Sequence, residues 1–416
     1  MKRVLIVGGG AAGMMAALFA ARAGASVTLL EQNEKLGKKV YITGKGRCNL
    51  TNAAEKEVFF QNVLRNPRFL YASFALLDNF SLIALMEELG MPVKIERGQR
   101  AFPVSDKASD VTRTLERELV RLGVTVRLNA RVASLRVEEG RVVGAELESG
   151  AFVPAEAVIL ATGGKSYPST GSTGDGYRLA HECGHSVINP LPALVPIETV
   201  ETWPMELTGL SLKNVRLTAR QVGNKKPKTL FSEMGEMLFT HFGISGPLVL
   251  TLSSLLPEDL SSVQMEIDLK PALDEQTLDH RLVNDFRTLS RKQLITAMDG
   301  LAPHSLALQL CRLAEISPAK PIHSVTQEER KRLVREMKAL PLRPARLRGF
   351  EEAIVTRGGI AVREVNPSTM ESKILPGLFF AGELLDLDGA TGGFNLQIAF
   401  STGALAGKSA AQPLLG

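Results

Sequence analysis

Six residues near the start of the chain, Gly8-Gly9-Gly10-Ala11-Ala12-Gly13, have the types and spacing to bind a pyrophosphate. In this G-x-G-x-x-G pattern the glycines allow a tight turn and let backbone approach a phosphate closely. The helix that such a turn opens aims free N–H groups and the positive end of its dipole at the anion. Glu31 stands eighteen residues beyond Gly13, where a carboxylate can accept hydrogen bonds from both hydroxyls of a ribose. The chemistry within reach is dinucleotide binding. The glycine pattern alone would also suit a structural turn, so the surrounding elements have to decide.

A second cluster follows. Residues 37–52 read Gly-Lys-Lys-Val-Tyr-Ile-Thr-Gly-Lys-Gly-Arg-Cys-Asn-Leu-Thr-Asn, a loop able to wrap a cofactor with backbone amides and cations. Within it Cys48 is a candidate proton donor, its pKa lowered by Lys45 and Arg47; the alternative is a small thiol packed against a cofactor. His241, set between phenylalanines in Phe239-Thr240-His241-Phe242, is either a catalytic group or a core residue. Arg357, beside Gly358-Gly359, either binds an anionic substrate or supports the turn. His181 and His185 are four apart on an expected helix but have no third ligand, so they read as structural and no metal site is expected.

The elements needed to hold these groups are legible. Residues 2–7 read as a buried parallel strand, 14–23 as a helix that stops at Gly24, and 26–30 as a second strand ending at Glu31. Apolar spacing through Phe69, Phe74, Leu77 and Leu82 predicts helix over 54–93. Another helix is expected from Ala108 to Leu122, with Ser105 or Asp106 as its cap. Strands are expected at 124–128 and 132–136, and a hairpin pairs 141–147 with 152–154 across Glu148-Ser149-Gly150. Residues 157–164 (Ala-Val-Ile-Leu-Ala-Thr-Gly-Gly) form a second strand-then-glycine turn, and 377–383 (Gly-Leu-Phe-Phe-Ala-Gly-Glu) a third. Gly392-Gly393 then opens a small-residue helix to Gly407. The predicted class is α/β: a Rossmann-like domain over 1–192 and 346–416, interrupted at 193–345. That insert reads as an antiparallel β subdomain (195–270) and a helical one (275–340).

At 416 residues, with 44% hydrophobic and 22% charged side chains, the chain can bury more than one core. No apolar run approaches the ~20 residues of a membrane span, so no membrane partner is expected. Three widely spaced cysteines suggest reduced thiols and a cytoplasmic setting. Residues 330–348 hold eight Lys and Arg against a single acid, Glu336. They form either a solvated helix face or a patch for an anionic partner such as RNA.

The N-terminal fingerprint, the Ala-Thr-Gly-Gly strand and the late Ala-Gly-Glu before a Gly-Gly-opened helix together resemble the two-dinucleotide-binding-domain flavoproteins. Residues 37–52, 102–106, 236–248 and 380–397 resemble, more specifically, the BaiN/RdsA flavoprotein family, also labelled aminoacetone oxidase-like. The 171–176 turn is more distantly similar to the fumarate reductase type. The resemblance implies one FAD held by segments far apart in sequence. Gly8, Gly10, Ala12 and Gly13 would hold the pyrophosphate and Glu31 the ribose, with Gln32 also among the cofactor-binding residues. Gly44, Gly46, Arg47, Cys48 and Asn49 would line the flavin and its ribityl chain, while Val132 would meet the adenine through its backbone. Ala161, Thr162 and Gly163 would lie near the pyrophosphate, with Gly382 and Glu383 at the ribityl or phosphate region. Gly393, Phe394 and Asn395 would set helix N–H groups at the pyrimidine end of the flavin. The activity implied is reduction of an activated C=C bond in a steroid-like molecule, or of a uridine in large-subunit ribosomal RNA to dihydrouridine. The alternatives are a flavin oxidase of a small amine or aminoketone, and a flavoprotein that acts by binding a partner. No second G-x-G-x-x-G is present for a nicotinamide nucleotide, so NAD(P)H would bind transiently or another protein would reduce the flavin.

Overall fold

The computed structural model describes residues 1–223 and 226–412 and divides into two compact units, 1–193 with 349–416, and 194–348. The first unit begins with β1 (Arg3–Val7), whose last four residues are all buried as a run of Val, Leu, Ile and Val on both faces of a sheet demands. It continues through α1 (Ala11–Arg22), β2 (Ser26–Leu30), α2 (Ala108–Arg121), β3 (Thr125–Arg127), β4 (Ala157–Leu160), α3 (Asp175–Glu182) and β5 (Val187–Ala193). The later segment adds β6 (Val355–Ile360), β7 (Leu378–Phe380) and α4 (Phe394–Ala411). A five-stranded parallel sheet results, in the order β7-β4-β1-β2-β3.

That order carries the main consequence of the fold. β7, β4 and β1 are adjacent and parallel, so the three small-residue turns that follow them emerge side by side at the carboxyl edge of the sheet, where ligands of open α/β sheets bind. Glu31 ends the next strand along, β2. The turns also touch: a Cβ on Gly8 would meet the Ala161 carbonyl oxygen at 2.5 Å, and one on Gly382 would meet Ala12 Cβ at 2.8 Å.

α1 packs along α4 at backbone range. A methyl group on Gly403 or Gly407 of α4 would collide with the carbonyl oxygens of Ala12 and Ala16. Both helices are rich in Ala and Gly and are buried over most of their length, so small residues rather than an amphipathic stripe set the contact.

Two expectations are corrected. Residues 54–93 are not one helical stretch but short pieces, Lys56–Gln61, Pro67–Leu70, Tyr71–Leu76 and Asn79–Glu88, with Val93–Glu96 a strand. Asn66, left-handed at φ 49°, and the extended Asp78 break the pattern, and Asp78 caps Asn79–Glu88 through Ser81 N. Lys107, not Ser105 or Asp106, occupies the N-cap of α2, without a side-chain bond, because Asp106 is spent on ion pairs. By length and mean hydropathy alone Pro67–Glu88 passes for a membrane span, a test that a buried core segment passes as well. Half of that window is buried within the unit, where Phe69, Leu70, Phe74, Leu82 and Met86 join the core.

The second unit is a seven-stranded antiparallel sheet centred on Ser211–Gln221 and Lys228–Thr240, with a core of its own around Leu217, Phe239, Leu252, Leu310 and Leu333. Its helices Glu275–Thr288, His304–Leu313 and Gln327–Lys338 share that core. Thr326 closes the last of them with a capping box, Glu329 N donating to Oγ1 at 3.2 Å and Thr326 N to Glu329 Oε2 at 2.8 Å.

The α1–α4 contact yields a prediction whose sign depends on magnitudes. Alanine is favoured over glycine inside a helix by about 1 kcal/mol, whereas overpacking costs ~1–3 kcal/mol and here strikes backbone that cannot rotate away. Gly407→Ala is therefore expected to lower the urea midpoint; an unchanged or raised midpoint contradicts the contact.

Candidate functional site

At the mouth of the first unit each glycine of the fingerprint has a separate task. Gly8, at φ 105°, and Gly13 leave room for neighbouring backbone, since side chains there would strike Ala161 and Gly8. A Cβ on Gly10 would meet nothing within 4 Å, so open space lies before the first turn of α1. No side chain caps that helix end or the one that Gly393 opens on α4. Two helix termini thus offer N–H groups and positive dipole ends to an anion. Gly393, at φ 101°, is required by proximity: a Cβ would lie 2.5 Å from the Thr51 carbonyl oxygen.

Glu31 is buried and aimed by the turn it serves. Oε2 accepts from Gly9 N at 2.7 Å, and Oε1 accepts from Asn33 N at 2.8 Å and from Asn33 Nδ2 at 2.7 Å. Gln32 bonds the Gly171 carbonyl at 2.5 Å, tying this acid to the 168–171 turn. Ala130 N donates to the Glu31 carbonyl at 2.9 Å, which sets Val132, two residues on at the head of its hairpin, beside the same corner.

The 40–49 loop is wound left-handed. Gly44, Lys45, Gly46 and Cys48 have φ of 56°, 57°, 85° and 57°, and for the two that are not glycine this conformation costs roughly 1–2 kcal/mol each. Such strain collects where function over-determines the backbone, and successive N–H groups in such turns make an anion-binding concavity. Asn49 Oδ1 and Thr162 Oγ1 are buried with no hydrogen-bond partner. They lie on two of the segments assigned to FAD, and together with the open space at Gly10 and the two bare helix ends they fit a dinucleotide with polar groups at both ends.

The structure corrects the expected role of the charges around Cys48. Arg47 does not activate it: its guanidinium pairs with Glu96 and Asp106, both at 2.5 Å, and stacks on Phe102 at 4.2 Å. Cys48 is fully buried, and desolvation pushes its pKa up to about 12 against a weak pull from a Thr43 hydrogen bond. It is a packed thiol.

Glu383 faces inward. Lys39 Nζ sits 2.6 Å from its Oε2, while Ser166 Oγ and Thr356 N donate to Oε1 at 2.6 and 2.8 Å. Its carboxylate joins four chain segments; Lys39 was read only as one cation of the 37–52 loop, and neither Ser166 nor Thr356 stood out in the sequence. Asn395 holds the preceding turn, donating to the Gly389 carbonyl and accepting from Gly389 N, each at 2.8 Å. Phe394 packs edge-on against Phe59 at 5.4 Å. Gln397, also missed, is buried and bonds Thr51 Oγ1 (2.7 Å) and the Leu77 carbonyl (2.9 Å). The signal for it was an amide between Leu396 and Ile398, in the apolar opening of α4.

Arg357 is buried on β6. His241 belongs to the second unit, exposed and edge-on to Phe242 at 4.9 Å. His185 is buried, its Nε2 2.9 Å from Ser372 Oγ, and burial lowers its pKa despite Glu364. The basic stretch 330–348 is largely neutralised within its unit. Arg330 pairs with Asp279, Lys338 with Asp268, Arg343 with Glu201, and both Arg346 and Arg348 with Glu198. Lys331 and Arg335 remain exposed.

Three comparisons bear on this geometry. The family model described as HI0933-like protein Rossmann domain matches residues 2–409. The chain is 35% identical to a 3-dehydro-bile acid delta(4,6)-reductase of Clostridium scindens, over 99% of this chain and 100% of that one. It is 30% identical to the ribosomal RNA dihydrouridine synthase of Escherichia coli, over 96% of this chain and 95% of that one. In fold it is similar to a 3-ketosteroid-delta4-(5alpha)-dehydrogenase from Rhodococcus jostii, with a TM-score of 0.55, 18% identity, and coverage of 99% of this chain and 97% of that one.

Burial gives Cys48 a checkable property. Under native conditions at pH 8 iodoacetamide is expected to leave Cys48 unmodified, with labelling only after unfolding, as read by peptide mass spectrometry. Rapid native labelling would mean an exposed thiolate.

Proposed function

The chain belongs to the HI0933-like Rossmann family and is a flavin-dependent oxidoreductase, and we propose that it reduces a C=C bond conjugated to a carbonyl in a small apolar ketone. FAD supplies hydride-transfer chemistry when bound. The chain's residues bind and orient it: Glu31 at the ribose, the first turn of α1 at the pyrophosphate, the left-handed 44–49 loop along the ribityl chain, and the α4 terminus at the pyrimidine ring. The observation that carries this placement is the row of three glycine turns at the carboxyl ends of β7, β4 and β1. Double-bond reduction is supported by the two relatives, one named a 3-dehydro-bile acid delta(4,6)-reductase and the other a dihydrouridine synthase, and the small ketone by the first of them.

The neutralised charges at 330–348 favour the small ketone over RNA. A ribosomal RNA uridine is the second reading, with Lys331 and Arg335 as the cations left to meet phosphate. Electrons would come from NAD(P)H bound transiently. The three free cysteines suit a reducing, cytoplasmic setting.

Purified protein is expected to be yellow, to bleach anaerobically with NADPH or NADH, and to recover its colour on adding a 4-en-3-one steroid. Rapid reoxidation by oxygen with peroxide release, and none by the enone, would indicate an oxidase. Loss of one dihydrouridine from ribosomal RNA in a deletion strain would select the RNA reading. Glu31→Ala is expected to weaken FAD binding at least tenfold, since one charge-assisted hydrogen bond is worth ~1.5–3 kcal/mol. Equilibrium dialysis of apoprotein with FAD measures it, and unchanged affinity would remove the ribose assignment.

A further inference from the structure

The connection from β7 to α4 carries an ionisable side chain, Asp388. Asp388 is fully buried. Arg65 Nε lies 2.9 Å from its Oδ1, and Oδ2 accepts no hydrogen bond. The other charges it feels are Arg357 of β6 and Asp386 of its own connection. Asp386 is itself held by Asn66 Nδ2, at 3.1 Å on the carboxylate and 2.8 Å on the carbonyl, and lies within the field of the buried Tyr177 hydroxyl of α3.

The backbone at Asp388 cannot drift. Its carbonyl accepts from Leu64 N at 2.8 Å, and the next residue, Gly389, is gripped by Asn395 in the first turn of α4. One hydrogen-bonded turn therefore separates this carboxyl from the bare N-terminus of α4. Burial pushes its pKa up to about 6 in spite of Arg65. Two guanidiniums and two carboxylates leave the cluster neutral when both acids are ionised, so an extra negative charge nearby favours protonation of the acid that is hardest to keep charged.

We propose that Asp388 is a positioning residue that takes up a proton when negative charge arrives at the N-terminus of α4 and releases it when that charge leaves. This rests on the reading of that terminus as the seat of the flavin pyrimidine ring. The balance is simple. A two-electron reductant of the nicotinamide class delivers two electrons and one proton to the cofactor, which gains one negative charge. A second proton, from solvent, goes to Asp388 and restores neutrality. When the electrons and first proton pass to one carbon of the double bond, the charge disappears and Asp388 returns its proton to solvent, to be replaced on the substrate's other carbon from the same pool.

The test is the pH dependence of the bound flavin's reduction potential. Each proton taken up per two electrons contributes about 30 mV per pH unit. Between pH 6.5 and 8 the wild type is expected to show about 59 mV per unit and Asp388→Asn about 30. Below pH 6 the wild-type slope falls toward the variant's, because Asp388 is then already protonated. Equal slopes in flavin-loaded wild type and variant overturn this inference alone; protein that never takes up FAD overturns the functional reading with it. Should the variant not fold, the wild type suffices: a reduced-minus-oxidised infrared spectrum at pH 7.5 is expected to gain a protonated-carboxyl band, and its absence overturns the proposal.

Discussion

The fold of the first unit depends on how closely backbone can approach backbone. Gly403 and Gly407 let α4 lie against the carbonyls of α1, Gly8 lets the first turn rest on Ala161, and Gly393 lets α4 begin against Thr51. None of these contacts tolerates a side chain without movement, and each has a phosphate-sized or flavin-sized consequence. Displacing α1 from α4 by even one methyl radius would separate the two helix ends that the candidate site needs together. Packing and binding are here one constraint, because close-packed interiors transmit displacement rather than absorb it.

Charge is handled differently at the site and away from it. The exposed Arg343 and Arg346 are met by carboxylates within their own unit, at little energetic consequence for exposed pairs. At the site the carboxylates of the first unit are held in place: Glu31 by backbone N–H groups, Glu383 by Lys39, Ser166 and Thr356, Asp388 by Arg65. A carboxylate so held keeps its orientation when a ligand arrives, which lowers the reorganisation that binding and chemistry require.

Much of this was legible in the sequence where a local pattern has one physical meaning. A β-branched run before G-x-G-x-x-G reads as strand and turn, and β1, α1 and β2 lie within a residue or so of their expected bounds apart from the earlier start of α1. The 141–147 and 152–154 hairpin was readable from Glu148-Ser149-Gly150. What escaped depends on partners distant in sequence. Arg47 and Lys45 beside Cys48 suggest a reactive thiolate, but Glu96 and Asp106, half a hundred residues away, take Arg47, and burial decides the thiol. Lys39 meets Glu383 across 344 positions, and no pattern of local spacing encodes such a pair. The breaks within 54–93 escaped for a related reason: apolar periodicity continues through Asn66 and Asp78 while the backbone does not.

The interleaving of β1, β4 and β7 has a consequence for synthesis on the ribosome. β4 waits for β7, and α1 waits for α4, until residues 349–416 have emerged, after the whole of 194–348. At ~5–20 residues per second that interval is roughly ten to forty-five seconds. Throughout it the apolar edge of the nascent sheet and one flank of α1 stand uncovered while the intervening unit completes a core of its own. The nascent chain is thus most dependent on chaperones before its last helix appears, and a truncation that removes only α4 should leave an aggregation-prone first unit beside a sound second one.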